Sequence, residues 1–222
     1  MDTNLIYKIF IADGAWLTIL KGLAVTVEIS VLALFLGTIL GAVVCFFRLK
    51  HNKFSRLIAS GYIGLLRGSP VLMLLMLLYY GVFAESNLSP EIVAVIAFSM
   101  HTSAHVAEIL RSALLATDYG QVEAARTLGF SKYEAFRLIT LPQLFKIARP
   151  VYQSTIINLI QWTSVVGYVS ITDLTRVIYN TASRTMQPMI TILGGMIIYL
   201  LVSYAVNAIF FYTDRNGNNG GK

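Results

Sequence analysis

Charge is what this sequence has least of. Of its 222 residues, 13% are charged and 56% are hydrophobic, whereas a soluble domain carries roughly 25% charged residues. The shortage is local. Stretches 23–47, 57–84, 92–110, 151–171 and 186–213 make up more than half of the chain and contain only Glu28, Arg67 and Glu108 as charged residues. A soluble globule built from them would lack the polar shell needed to cover its helices. Cysteine is nearly absent as well: Cys45 is the single one, which excludes an internal disulfide framework and marks it as a packing residue. There is no glycine-rich turn ending in Gly-Lys-Ser/Thr, so nothing here can hold nucleotide phosphates alone. The terminal Gly220-Gly221-Lys222 has no hydroxyl after it and no strand before it. No His-Glu-x-x-His zinc motif is present either.

What is present is length without charge. A hydrocarbon core about 30 Å thick takes about 20 residues at 1.5 Å rise each, and all five stretches approach or exceed that. The expected fold is therefore an all-α membrane protein with five spans, at about 18–47, 57–84, 90–113, 150–171 and 187–213. The first stretch is too long for a signal-peptide core and four more follow it, so cleavage is not expected. Lysine and arginine set the orientation. Twelve of them fall in 48–56, 111–149 and the C-terminal tail, and four in the segments of opposite sidedness. The N-terminus is thus expected outside and the C-terminus in the cytoplasm. The net charge of +6 then reports topology, and no aromatic-interleaved basic stripe points to nucleic acid. Residues 1–15 read as a helix along the outer membrane surface, 16–215 as the transmembrane domain, and the Asn/Gly-rich 216–222 as a disordered tail.

The long cytoplasmic segment between spans three and four is helical in pattern, although loops between packed helices are usually short. The spacing predicts a short helix over 121–128, stopped by Gly129 in a left-handed cap. Ser131-Lys132-Tyr133-Glu134 matches a capping box that opens a second helix, and Pro142 is expected to end it. Together, 119–142 would form a knob projecting from the membrane.

These residues carry a resemblance. Glu123-Ala124-Ala125, Gly129, Ile139 and Leu141-Pro142 resemble, position by position, the EAA motif of the transmembrane subunits of ABC importers. Arg67-Gly68-Ser69-Pro70, Ala107-Glu108, Arg111, Gly120-Gln121, Gln143 and Thr163-Ser164 look like further signatures of permeases for polar amino acids, the histidine/glutamine/arginine/cystine group, over about residues 15 to 213. The resemblance implies ATP-driven import of a polar amino acid across the bacterial inner membrane by a multi-pass subunit. It implies two copies of a separate ATPase subunit, which bind the ATP so that this chain needs no cofactor. It also implies an extracytoplasmic amino-acid-binding protein and a homodimer or a heterodimer with a second permease. The knob would be the coupling helix, with Gln121, Glu123, Ala124, Ala125, Gly129 and Phe130 at the ATPase. The residues fit that role: the alanines permit close approach, Glu123 offers a charge to a basic partner group, and Gly129 permits the turn.

Charges inside a span are costly and are therefore site candidates. Arg67 follows ten uncharged residues, about 15 Å of helix, and precedes fourteen more after Pro70. Two placements are open. In one, Ser69 caps and Pro70 begins a second half-helix at mid-depth, offering backbone amides and a guanidinium to a carboxylate. In the other, the span begins at Pro70 and Arg67 anchors its end at the headgroups. Further candidates for the substrate path are Ser69, His105, Glu108, Asn158, Gln161, Thr163 and Ser164, with the span-four residues expected as one polar stripe facing the bundle interior. Glu108 and Arg111 are spaced to form an ion pair. Where this chain has His105 and Gln161-Trp162, the resembling permeases have an aromatic and a lysine-acidic pair. Two other classes are open to the sequence: an intramembrane metalloenzyme using His101, His105 and Glu108, which share a helix face, and an ion-coupled secondary transporter, which would need internal repeats not found here.

Overall fold

The computed structural model describes residues 3–219, and all of its regular structure is helical. A short helix α1 (Thr3–Phe10) and a 3-10 turn (Ala12–Gly14) precede α2 (Ala15–Leu49), with Gly14 at φ 74° making the corner. Helices α3 (Lys53–Gly68) and α4 (Val71–Leu77) follow, α4 running into a π-helical turn over Leu78–Val82. Next come α5 (Pro90–Leu115), α6 (Tyr119–Thr127), α7 (Lys132–Ala135) and α8 (Leu141–Trp162). A 3-10 segment (Thr163–Val169) leads to α9 (Leu174–Thr185) and α10 (Pro188–Asn219).

Helix α5 is the central element, and α2 packs along it through small residues. Gly22, Thr26, Ser30, Ala33, Gly37, Gly41 and Cys45 are all buried on α2, a spacing of about one helical turn that puts them on one face. A Cβ on Gly41 would stand 2.7 Å from the Val106 Cβ and 2.8 Å from the Ser103 carbonyl, and one on Gly37 would stand 2.9 Å from the Thr102 Cβ. Such close approach suits a membrane bundle. Lipid tails are as apolar as leucine, so helices there associate by packing and not by escape from water. The main core joins Ile29 and Ala33 to Leu75, Ala94 and Phe98, and reaches Val166 and Ile171 beyond α8.

The structure corrects several expectations. The second apolar stretch is not one straight span: the chain turns by 106° between α3 and the α4 segment. Pro70, not Ser69, is the N-cap of α4, and the Ser69 hydroxyl donates back to the Leu65 carbonyl at 2.6 Å. Ser69 thus bonds back to the end of α3, and no side chain caps α4. By length and composition, α2, α5 and residues Pro188–Thr213 of α10 can each cross a membrane, and the bent pair α3–α4 raises that to four. Pro142 does not end a helix. A π-helical turn over Phe136–Thr140 carries the chain from α7 into α8, and Pro142 sits in the first turn of α8. Helix α10 runs on through Asn219, and 220–222, the end of the expected 216–222 tail, lie outside the described residues. Once a long helix exists, each further residue adds a bond without a new nucleus.

Candidate functional site

Two sets of residues stand out, at different places in the bundle. The first is the knob between α5 and α8. Asp118 caps α6 by accepting from the Gly120 N–H at 3.0 Å. Gly129 takes φ 94°, in the left-handed region expected of it. The Phe130 N–H then returns to the Ala125 carbonyl at 3.2 Å, and the Arg126 guanidinium donates to the Phe130 carbonyl at 2.7 Å. The capping box forms in full: the Glu134 N–H reaches Ser131 Oγ at 3.2 Å and the Ser131 N–H reaches Glu134 Oε2 at 2.7 Å. Those bonds hold the Glu134 carboxyl below its ordinary value, the backbone bond from Ser131 contributing most.

Gln143 ties the knob to α8. Its Nε2 donates to Gln121 Oε1 at 2.9 Å and its Oε1 accepts from the Asp118 N–H at 3.0 Å. Ala125 is buried, whereas Gln121, Glu123, Ala124, Gly129 and Phe130 are exposed. Between α6 and the π-helical turn lies an open concavity of about 420 Å³, lined by Ala124, Ala125, Leu128, Phe130, Leu138 and Ile139 beside Gln121. An exposed apolar hollow is a surface shaped for a partner.

The second set lies where α5 meets the end of α8. The His101 and His105 rings have centroids 5.0 Å apart, and the Trp162 indole lies 4.6 Å from the first and 5.1 Å from the second. His101 is 5% exposed and its ring bonds the Leu66 backbone, while its Nδ1 is buried with no partner. Arg67, exposed on the last turn of α3, is within electrostatic reach of both His105 and Glu108. Glu108 and Arg111 form the expected ion pair. Glu108 is turned to Arg111, and among the described residues no group of three His, Cys, Asp or Glu side chains is placed to hold a metal ion.

The span-four stripe does not face the bundle interior of this chain. Asn158 and Gln161 are exposed, and Ser164 is half-buried. Thr163 is fully buried and its hydroxyl donates to the Ile160 carbonyl at 2.7 Å, so it is spent within its own helix. Two features went unread in the sequence. Trp162 was noted only as a departure, yet it brings the histidines into one ring cluster. Helix α9 lies between the expected fourth and fifth spans, and Asp173 caps it by accepting from the Thr175 and Arg176 N–H groups at 3.0 and 2.9 Å. The signal was there: an aspartate followed by apolar residues at 174, 177, 178 and 182.

Comparison with known proteins shows the family. Residues 33–216 match the family model of the binding-protein-dependent transport system inner membrane component. The probable amino-acid ABC transporter permease protein YckA of Bacillus subtilis is 34% identical over 70% of this chain and 70% of its own. The arginine transport system permease protein ArtQ of the same species is 32% identical, covering 83% and 85%. The nopaline transport system permease protein NocM of Agrobacterium fabrum is 28% identical, covering 88% and 86%. The crystal structure of an amino acid ABC transporter with histidines superposes with a TM-score of 0.85 at 27% identity, over 97% of this chain and all of that one. An inward-facing structure of the MetNI methionine ABC transporter shares the fold, with a TM-score of 0.77 at 17% identity over 93% of this chain and 99% of that one. The chain belongs to the family of binding-protein-dependent transport system inner membrane components.

Proposed function

We propose that this chain is the permease subunit of an ATP-driven importer of a polar amino acid, which crosses the bacterial inner membrane five times with its N-terminus outside. The observation that carries the reading is the knob: an exposed helix with an apolar hollow, a glycine turn and the exposed Glu123, tied to α8 through the Gln143 hydrogen bonds. A separate ATPase subunit, two copies per transporter, seats Glu123, Ala124, Gly129 and Phe130. ATP closes the ATPase pair, the knob follows, and α8 moves with it. The amino-acid relatives supply the substrate class.

The substrate path runs between two permease copies, because Asn158 and Gln161 are exposed on a single one. Arg67, Ser69, His105, Glu108 and Ser164 border that path at the bend between α3 and α4. An arginine there suits the carboxylate every amino acid offers. An extracytoplasmic binding protein delivers the substrate, and the second copy is this chain again or a related permease. The reading is tested by purifying the chain from its own membrane. An ATPase and a second permease copy should co-purify, and the complex should hydrolyse ATP faster in the presence of its loaded binding protein. Recovery of the chain without an ATPase, with uptake that follows an ion gradient, would favour the secondary-transporter reading instead.

A further inference from the structure

Helix α3 is held from one side. At about 100° per residue, its buried residues Ala59, Ile63 and Leu66 fall on one face. Gly61, Gly64 and Gly68 fall opposite, where an added Cβ would meet nothing within 4 Å. The buried face lies against α5 and α2, and Ile63 shares a cluster with Ala107 and Cys45. The half-buried Tyr62 stands at one edge of that face and the exposed Arg67 at the other.

Contacts between apolar side chains are non-directional, so they hold α3 against its neighbours without fixing how far it is turned about its axis. A hydrogen bond is directional, and Tyr62 supplies one. Its hydroxyl lies 2.7 Å from Ser103 Oγ on α5 and 3.4 Å from the Met100 carbonyl. Ser103 Oγ itself donates to that carbonyl at 2.7 Å. The serine proton is thus engaged on its own helix, which leaves the tyrosine as the donor between the two hydroxyls. In a bilayer core no water competes for such a bond. One turn further on, the Leu66 backbone is bonded by the His101 ring, and the hold continues up to the 106° bend that follows α3. Because Arg67 lies on the edge opposite Tyr62, the angle at which the tyrosine bond sets α3 is also the angle at which the guanidinium leaves the helix.

We propose that Tyr62 is a positioning residue: its bond to Ser103 sets the rotation of α3 and so aims Arg67 at the substrate's carboxylate beside the bend. The inference rests on the reading of Arg67 as a residue bordering the substrate path.

The test uses the whole complex of permease, ATPase and binding protein in proteoliposomes, supplied with a radiolabelled mixture of the protein amino acids. It reads the amino acid taken up per ATP hydrolysed, a ratio that does not depend on how much protein folds. Tyr62→Phe keeps the ring and removes the hydroxyl, and Ser103→Ala removes the acceptor. Each should lower the ratio about threefold, the worth of an average hydrogen bond between membrane helices, and the double variant should fall no further. Arg67→Ala should lower it at least as far. A lowered ratio in Arg67→Ala with an unchanged one in Tyr62→Phe would overturn the positioning role and leave the path reading standing. An unchanged ratio in Arg67→Ala would overturn both. Uptake and ATP hydrolysis falling in equal proportion in Tyr62→Phe, or effects that add in the double variant, would make the bond a structural one and overturn the proposal. If Tyr62→Phe does not fold, Ser103→Ala against Arg67→Ala decides.

Discussion

The Trp162 indole meets the His101 imidazole edge-on, at 87° and 4.6 Å between centroids, and is tilted at 39° to that of His105. The indole therefore closes the space between α5 and the end of α8 at the level of Arg67. Trp162→Ala is expected to cost about 2 kcal/mol of stability, less than the ~3–5 kcal/mol of a fully buried aromatic, and to broaden which amino acids compete for uptake. Trp162→Phe should retain both stability and selectivity. Competition assays with unlabelled amino acids, beside melting curves of the three proteins, check this.

Gly41 and Gly61 make opposite predictions. A Cβ at 41 has the Ser103 carbonyl at 2.8 Å, and backbone cannot yield cheaply, whereas a Cβ at 61 meets nothing within 4 Å. Gly41→Ala should destabilise the protein by about 1–3 kcal/mol. Gly61→Ala, in the interior of α3, should stabilise it by about 0.5–1 kcal/mol. Thermal unfolding of the two variants in the same detergent gives the comparison.

Asp173 is buried, and burial pushes its carboxyl above the ordinary value of 3.8 against the pull of the Arg176 and Thr175 N–H bonds. A carboxyl raised by folding stabilises fully below its unfolded pKa and loses that contribution as pH rises through the folded one. Asp173→Asn keeps a capping oxygen without the buried charge. It should therefore melt higher than wild type near neutral pH, with the difference closing as pH falls toward 4. A difference independent of pH would show that the carboxyl is not what matters there.

Gly129 at φ 94° has open space around it, so conformation and not contact restricts it. A β-branched residue there is strained by about 1–2 kcal/mol, and asparagine by less. Gly129→Val should distort the knob, lowering both ATPase co-purification and uptake, while Gly129→Asn should keep most of each.

Much of the knob was legible because its signals are local: an aspartate, serine or glycine at a cap acts over three or four residues, and Gly129 and the Ser131–Glu134 box appear where the spacing put them. Apolar runs located α2, α5 and α10 for the same reason. The bend at Ser69–Pro70 was legible as a bend but not in its capping, because the residue at which α4 begins is set by the backbone turn, which places Pro70 at the N-cap, while the Ser69 hydroxyl bonds back to Leu65. The π-helical turns at Leu78–Val82 and Phe136–Thr140 and the 3-10 segment after Trp162 have no period of their own to read. The Trp162 cluster joins residues some sixty positions apart. The exposure of Asn158 and Gln161 depends on which face of α8 meets its neighbours, and helical spacing alone does not choose between inward and outward.

Uptake of a labelled polar amino acid into proteoliposomes, containing this chain with its co-purifying ATPase and binding protein, tests the central claim most directly. Uptake that requires ATP inside the cytoplasmic face and fails in Glu123→Lys, with the complex still inserted, is the predicted result. Uptake that proceeds without ATP, or that is unchanged in Glu123→Lys, would contradict it.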